Sequence, residues 1–243
     1  MDAILHYYTS SNYTPIGSSL LALLGVFVLI FKKNLPSRLL IFKYYFIGYV
    51  LITLGGAICY ALKTKLFFFP LHIVDQFIDY AFTIFEFYVI AFYLKPYLST
   101  KLFRVGSIIF YIISSILFYL GFLAETVKNY FYLQTIFNLQ AAIILTFCYD
   151  YFRKFINPNT TQLQLSSFSI VTWISILMLG TLPFTLVSHH LLLTKHPNFG
   201  DLFSIVYVLY MIMFSVLIIG ILSHKPGTNS LKSENISFNK SSL

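Results

Sequence analysis

The chain has 243 residues, of which 58% are apolar and only 10% are charged, and its formal net charge is +8. Soluble domains contain about 25% charged residues, and the 27 Phe and 19 Tyr of this chain are too many for a soluble surface. The composition excludes a soluble enzyme, a nucleic-acid-binding domain and a disordered chain. It indicates an integral membrane protein that crosses the bilayer several times.

Seven apolar stretches follow one another, separated by short breaks that contain Lys, Pro or Asn. They cover residues 13–31, 40–62, 71–94, 103–123, 130–152, 165–187 and 202–222. Each is close to the ~20 residues that a helix needs to cross the hydrocarbon core, and none alternates like a barrel strand. The sequence therefore predicts an all-α bundle of seven transmembrane helices in residues 1–222. We expect the polar residues 223–243 to form a disordered cytoplasmic tail.

The positions of the basic residues predict the orientation of this bundle. With seven spans, most of the 16 Lys and Arg residues lie on one face of the membrane. These are Lys32, Lys33, Arg38, Lys43, Lys95, Lys101, Arg104, Arg153, Lys154, Lys225, Lys232 and Lys240. The other face has only Lys63, Lys65, Lys128 and Lys195. Because cytoplasmic loops are enriched in Lys and Arg, we expect the N-terminus outside and the C-terminus in the cytoplasm.

The third span carries the most informative polar side chains. His72, Asp75, Asp79 and Glu86 are spaced so that they share one face of a helix. A carboxylate in hydrocarbon costs at least about 2.5–3.5 kcal/mol, so Glu86 is expected to face the bundle interior or a wet cavity. We predict an outward-facing pocket along this span, in which these four groups bind a ligand or protons. The alternative is a Glu86 that only connects two helices.

The fifth span contains three amide side chains. Gln134 and Asn138 share one face of the predicted helix, and Gln140 lies on another. Amides in membranes often connect helices, with a contribution of about 0.6–2 kcal/mol each. Gln134 and Asn138 are therefore candidates either for ligand or proton binding or for interhelical hydrogen bonds. If this span faces the third, Asn138 is the expected partner of Glu86.

The last two spans and the residues between them contain candidate metal ligands. His189, His190, His196 and Asp201 have suitable side chains, but their spacing matches no zinc motif. Residues 202–222 contain no Lys for a retinal Schiff base, which excludes a retinal pigment. We therefore expect no cofactor, and these four residues are the candidates if a metal binds.

Two runs of residues carry a resemblance to a known group of proteins. YAFTIFEFYVIAFY at 80–93, FSIVYVLY at 203–210 and the span lengths resemble small, uncharacterised bacterial seven-helix membrane proteins. Those proteins look like the membrane-sensor halves of signalling receptors.

The resemblance implies a non-enzymatic sensor or receptor-like module in the bacterial inner (plasma) membrane. It assigns neither a ligand nor a catalytic residue. Because the sequence contains no soluble effector, we expect a signal to leave through a cytoplasmic or membrane signalling partner, in addition to contact with the lipid bilayer. Two alternatives remain. One is a small-solute or proton-coupled transporter that uses Glu86 and Asp79, and the other is a metal-dependent intramembrane hydrolase.

Overall fold

The computed structural model describes residues 13–32, 35, 37–62, 71–123, 126–156, 165–193 and 199–223. Within these ranges the chain forms seven α-helices and one short 3-10 turn (Lys95–Tyr97). The helices are α1 (Tyr13–Phe31), α2 (Ser37–Leu62), α3 (Leu71–Leu94), α4 (Thr100–Leu123), α5 (Thr126–Ile156), α6 (Leu165–Leu193) and α7 (Phe199–Ser223). The predicted all-α class is confirmed, whereas the predicted tail beyond α7 lies outside the described residues.

Two helices extend furthest beyond the apolar stretches that predict them. Helix α5 has 31 residues and α6 has 29 residues. At 1.5 Å per residue both exceed the ~30 Å of hydrocarbon, so their ends extend into the polar interface. Helix α6 continues through Pro183 to Leu193. His189 and His190 therefore belong to the last turns of α6 and not to a loop.

The exposed surface is apolar, as expected for a protein that lipid surrounds. On α4 only a narrow stripe is buried, which includes Gly106, Phe110 and Ser114, while side chains such as Ile108 and Ile112 are exposed. A continuous apolar surface of this kind is unfavourable in water and ordinary in a bilayer.

Five helical stretches in the described ranges are long and apolar enough to cross a membrane. They are Phe77–Tyr97, Thr100–Leu123, Phe131–Ile156, Ser167–Val187 and Ile205–Ser223. Shorter apolar stretches, Ser18–Phe31 and Leu39–Leu54, lie in α1 and α2. These lengths, together with the apolar surface, identify a polytopic membrane protein.

Six of the described helices pack into a closed ring in the order α1, α2, α3, α5, α6, α7 and back to α1. Helix α4 lies outside this ring and packs mainly on α5. Gly106 permits this contact, because a Cβ atom there would lie 2.6 Å from the ring of Phe147. Small residues allow such close approach between membrane helices.

Polar contacts join several helix ends at one end of the bundle. Lys154 donates to the carbonyl of Tyr97 at 2.8 Å and pairs with Asp150 at 2.8 Å. The Tyr97 and Ser167 hydroxyls are 2.8 Å apart, and Lys32 donates to a carbonyl at the end of α7.

We call this end the basic end. It contains the Lys and Arg side chains that the structure describes. They are Lys32, Lys43, Lys95, Lys101, Arg104, Arg153 and Lys154.

Candidate functional site

Glu86 lies near the middle of the apolar stretch of α3 and points into the helix ring. Its side chain is 2% exposed, and Thr83 and Ile90 on the same helix face are also buried. Phe77, on the opposite face, is exposed. The expectation that Glu86 turns away from lipid is therefore confirmed.

Three other helices donate hydrogen bonds to the Glu86 carboxylate. The Tyr45 hydroxyl on α2 donates to Oε1 at 2.6 Å, and Gln140 Nε2 on α5 donates to Oε2 at 2.8 Å. The Tyr210 hydroxyl on α7 lies 3.0 Å from Oε1 and 3.2 Å from Oε2. We call these four residues the Glu86 cluster. The cluster connects four helices of the ring through one carboxylate, and the donors that the structure describes are all neutral.

One atom of this cluster lacks a partner among the described residues. Gln140 Oε1 is buried and accepts no hydrogen bond from any residue that the structure describes. An unpaired buried acceptor of this kind costs about 1–3 kcal/mol. Rotation of the amide by half a turn would exchange its oxygen and nitrogen. Oε1 would then accept a hydrogen bond from the O–H of a neutral Glu86, so the cluster has a hydrogen-bonding arrangement for either protonation state.

Next to the Glu86 cluster, aromatic rings from α2, α3 and α7 pack against one another. The ring centroids of Tyr49 and Phe82 are 5.6 Å apart, those of Tyr49 and Tyr210 are 5.8 Å apart, and those of Phe82 and Tyr210 are 6.4 Å apart. We call these three residues the aromatic triad. The Tyr49 hydroxyl donates to Ser18 Oγ on α1 at 2.8 Å. The triad thus joins α2, α3 and α7 directly beside Glu86.

We call the part of the bundle on the other side of the Glu86 cluster, away from the basic end, the polar half. It contains further polar side chains. Thr83 donates to the Asp79 carbonyl at 2.7 Å. Asp79 is half-buried and interacts electrostatically with Tyr207 on α7. Gln134 is buried on α5. The predicted residues Asp79 and Gln134 therefore both lie on the polar side of the Glu86 cluster.

The structure pairs Asn138 with another residue than expected. Asn138 Oδ1 accepts a hydrogen bond from the Thr185 hydroxyl on α6. Gln140 takes the place beside Glu86 that Asn138 was expected to take, so this prediction of the partner is wrong. Side chains two residues apart on a helix point in directions that differ by about 200°. Asn138 therefore points toward α6 when Gln140 faces α3.

The bundle between the Glu86 cluster and the basic end is packed mainly with apolar side chains. Phe42, Ile90, Ile144, Phe214 and Leu217 are all almost completely buried there. We call this part the apolar half. The hydroxyl of Ser175 on this side donates to the Val171 carbonyl of its own helix at 2.9 Å. Glu86 thus lies at the boundary between a polar and an apolar half.

The remaining predicted site residues are only partly described. His72 and Asp75 belong to the first turns of α3, but their side chains lie outside the described part, as do those of His189, His190 and Asp201. His196 lies outside the described residues altogether. Among the side chains that are described, no three or more of the types His, Cys, Asp and Glu form a group able to hold a metal ion. The metal site stays a prediction.

The chain was compared with protein-family models, curated proteins and solved structures. None of the three comparisons gave a match. The predicted relation to bacterial membrane sensors is therefore untested by homology. Any statement of function depends on the arrangement of the side chains.

Proposed function

We propose that this protein is a non-enzymatic sensor or receptor-like membrane module in which the Glu86 cluster acts as the switch. The observation that supports the proposal is one buried carboxylate that three other helices contact by hydrogen bonds. It lies between a polar half and an apolar half of the same bundle. A stimulus from the polar side would reach Glu86 without passing through the hydrocarbon beyond it.

The proposed topology has seven spans. Helices α1 and α2 have 19 and 26 residues, enough to cross a bilayer in addition to the five longer apolar stretches. The concentration of Lys and Arg at the basic end favours the cytoplasm for that end. The polar half then faces outward, in the bacterial plasma membrane that the sequence resemblance implies.

Switching in this proposal means that Tyr210 separates from Glu86. Its two contacts, at 3.0 and 3.2 Å, are longer than those of Tyr45 and Gln140. A hydrogen bond between membrane helices contributes about 0.6–2 kcal/mol, so the opening of this contact is within reach of a bound ligand or proton. A ligand that prefers the open arrangement would shift the population toward it. The contact of Tyr97 with Lys154 would carry the change in α3 to the basic end and to a partner.

A proton-coupled transporter is the second candidate. Asp79 and Glu86 lie seven residues apart on α3, about 10 Å along the helix axis, which suits successive proton-binding groups. Transport also needs access from the other side of the membrane, and the apolar half separates Glu86 from the basic end. No contact among the side chains that the structure describes supports a metal-dependent hydrolase.

The accessibility of single cysteines separates a sensor from a transporter. In a variant without Cys59 and Cys148, Thr83→Cys places a thiol in the polar half and Ile90→Cys places one in the apolar half. Both positions are buried, and they lie seven residues apart on α3. A membrane-impermeant maleimide is added to either side of oriented vesicles. Ser99→Cys lies at an exposed position of the basic end. Its labelling shows the orientation of the vesicles and that the reagent is active.

The proposal expects Thr83→Cys to react only from the outside, and faster when Tyr210→Phe weakens the cluster. Ile90→Cys should react from neither side. Labelling of Ile90→Cys from the cytoplasmic side would instead demonstrate alternating access and favour the transporter. Failure of Thr83→Cys to react in the Tyr210→Phe variant would contradict a switch at this cluster.

A further inference from the structure

We infer that the ligand of the Glu86 cluster is a small organic ammonium ion, an inference that rests on the proposed function. The first argument concerns charge. Asp79 and Glu86 are the carboxylates that the structure describes in and beside the polar half, whereas the described Lys and Arg side chains lie at the basic end. The donors to Glu86 are two phenols and one amide, none of which supplies a positive charge. None of the described side chains gives this carboxylate a positive counter-charge, and a cation would provide one.

The aromatic triad determines which kind of cation fits. Tyr49, Phe82 and Tyr210 come from three helices and lie within 6.4 Å of one another beside the carboxylate. The faces of several aromatic rings attract ammonium and quaternary ammonium groups. A quaternary group has no N–H donors to water and therefore loses less hydration on entry. A strongly hydrated inorganic ion would gain less from such walls. Once the rings separate, their faces and the neighbouring carboxylate would supply the two kinds of group that bind an alkylated ammonium ion.

The unpaired oxygen of Gln140 supplies a third element of recognition. Gln140 is 2% exposed, and its Nε2 is already bonded to Glu86. Its Oε1 is a buried acceptor without a donor among the described residues. A ligand with one hydroxyl or N–H group next to its charged nitrogen would satisfy this acceptor.

Entry of this ion would open the cluster at Tyr210. The three rings contact one another in the present arrangement, so an ammonium group must separate Tyr210 from Tyr49 and Phe82. Tyr210 is also the partner with the longest bonds to Glu86. The ion would replace these bonds with its own charge and displace α7 from α3. Binding of the ion would thereby change how the helices pack.

The experiment measures the thermal stability of the full-length protein in detergent with three probes. Choline combines a quaternary ammonium group with a hydroxyl, 3,3-dimethyl-1-butanol is its neutral isostere, and potassium chloride controls for ionic strength. Because a ligand that binds only the folded state raises Tm with its concentration, choline should raise Tm in a saturable manner. The isostere and the salt should not.

Variants test which side chains contact the ion. Glu86→Gln should weaken the apparent affinity for choline at least about 30-fold, the usual effect of removing one partner of a buried charge pair. Phe82→Leu should weaken it about 2- to 30-fold through loss of a cation–π contact. Phe92→Leu changes an exposed ring of the same helix and should leave the affinity unchanged.

Three results would overturn the inference. They are no saturable shift with choline, an equal shift with the neutral isostere or with potassium chloride, and a choline shift that persists at full affinity in Glu86→Gln. These results concern the ligand alone. The labelling of Ile90→Cys decides separately whether the module is a sensor, so the two proposals fail in distinguishable ways.

Discussion

Replacement of Tyr45 by Phe removes the shortest hydrogen bond of the Glu86 cluster and little else. The Tyr45 ring is buried and keeps its edge contact with Phe214 at 5.7 Å, so the variant loses only a hydroxyl. A bond to a charged carboxylate contributes about 1.5–3 kcal/mol. A bond between neutral groups in a membrane averages about 0.6 kcal/mol. At 2.6 Å the contact has the length of a charge-assisted bond, and we expect a loss of about 1.5–3 kcal/mol.

The free energy of unfolding is measured by titration with a denaturing detergent in mixed micelles. The same substitution is then made in Glu86→Gln, which keeps the acceptor oxygen but removes the charge. If Glu86 is ionised in the native protein, Tyr45→Phe should cost at least about 1 kcal/mol less in this background. Tyr210→Phe, which loses two longer contacts, should cost less than Tyr45→Phe. A loss below about 0.3 kcal/mol for Tyr45→Phe would refute the reasoning, since that is the uncertainty of independent substitutions.

Three further predictions use the same measurement. Gln140→Met removes one donor to the carboxylate together with the unpaired acceptor, so it should change the unfolding free energy by less than about 1 kcal/mol, and a loss above 2 kcal/mol would contradict this. Gly106→Ala places a Cβ 2.6 Å from a ring on α5 and should cost about 1–3 kcal/mol, whereas Gly220→Ala meets its nearest neighbour at 3.7 Å and should be nearly neutral. Equal effects at the two glycines would contradict the described packing of α4. Asn138→Leu and Thr185→Val should each cost about 0.6–1.7 kcal/mol, and the double variant should cost less than their sum.

The sequence predicts the helices well because the hydrocarbon core imposes a minimum apolar length. Each of the seven apolar stretches coincides with one described helix. The prediction is less accurate for the ends of α5 and α6, which continue beyond the apolar residues. An apolar stretch marks the part of a helix that lies in hydrocarbon, whereas the backbone hydrogen bonds continue into the interface. Composition therefore locates spans but not the last turns of a helix.

The sequence also predicts that Glu86 faces inward, because the cost of a carboxylate in lipid leaves no other stable position. Its partners depend on the order of the helices in the ring, which hydropathy does not contain. The sequence does contain one indication that Gln140 faces the bundle interior. This residue lies four residues from both Ile136 and Ile144, on the stripe of α5 that is completely buried. Tyr45 and Tyr210 had no comparable signal among 19 tyrosines, because this residue suits both the core and the membrane interface.

The free-energy cost of burying the polar groups of the Glu86 cluster is itself an argument for the proposed switching role. Between membrane helices, hydrocarbon side chains pack well without any buried charge or unpaired acceptor, and their replacement of a buried ionic group is often neutral or stabilising. A bundle selected for stability alone would therefore lose little, or gain, by replacing Glu86 and Gln140 with Leu. This chain instead places both beside an aromatic triad, with Gln140 Oε1 lacking a described partner. Such an arrangement is most useful where one helix contact must break and form again, as it must in a sensor.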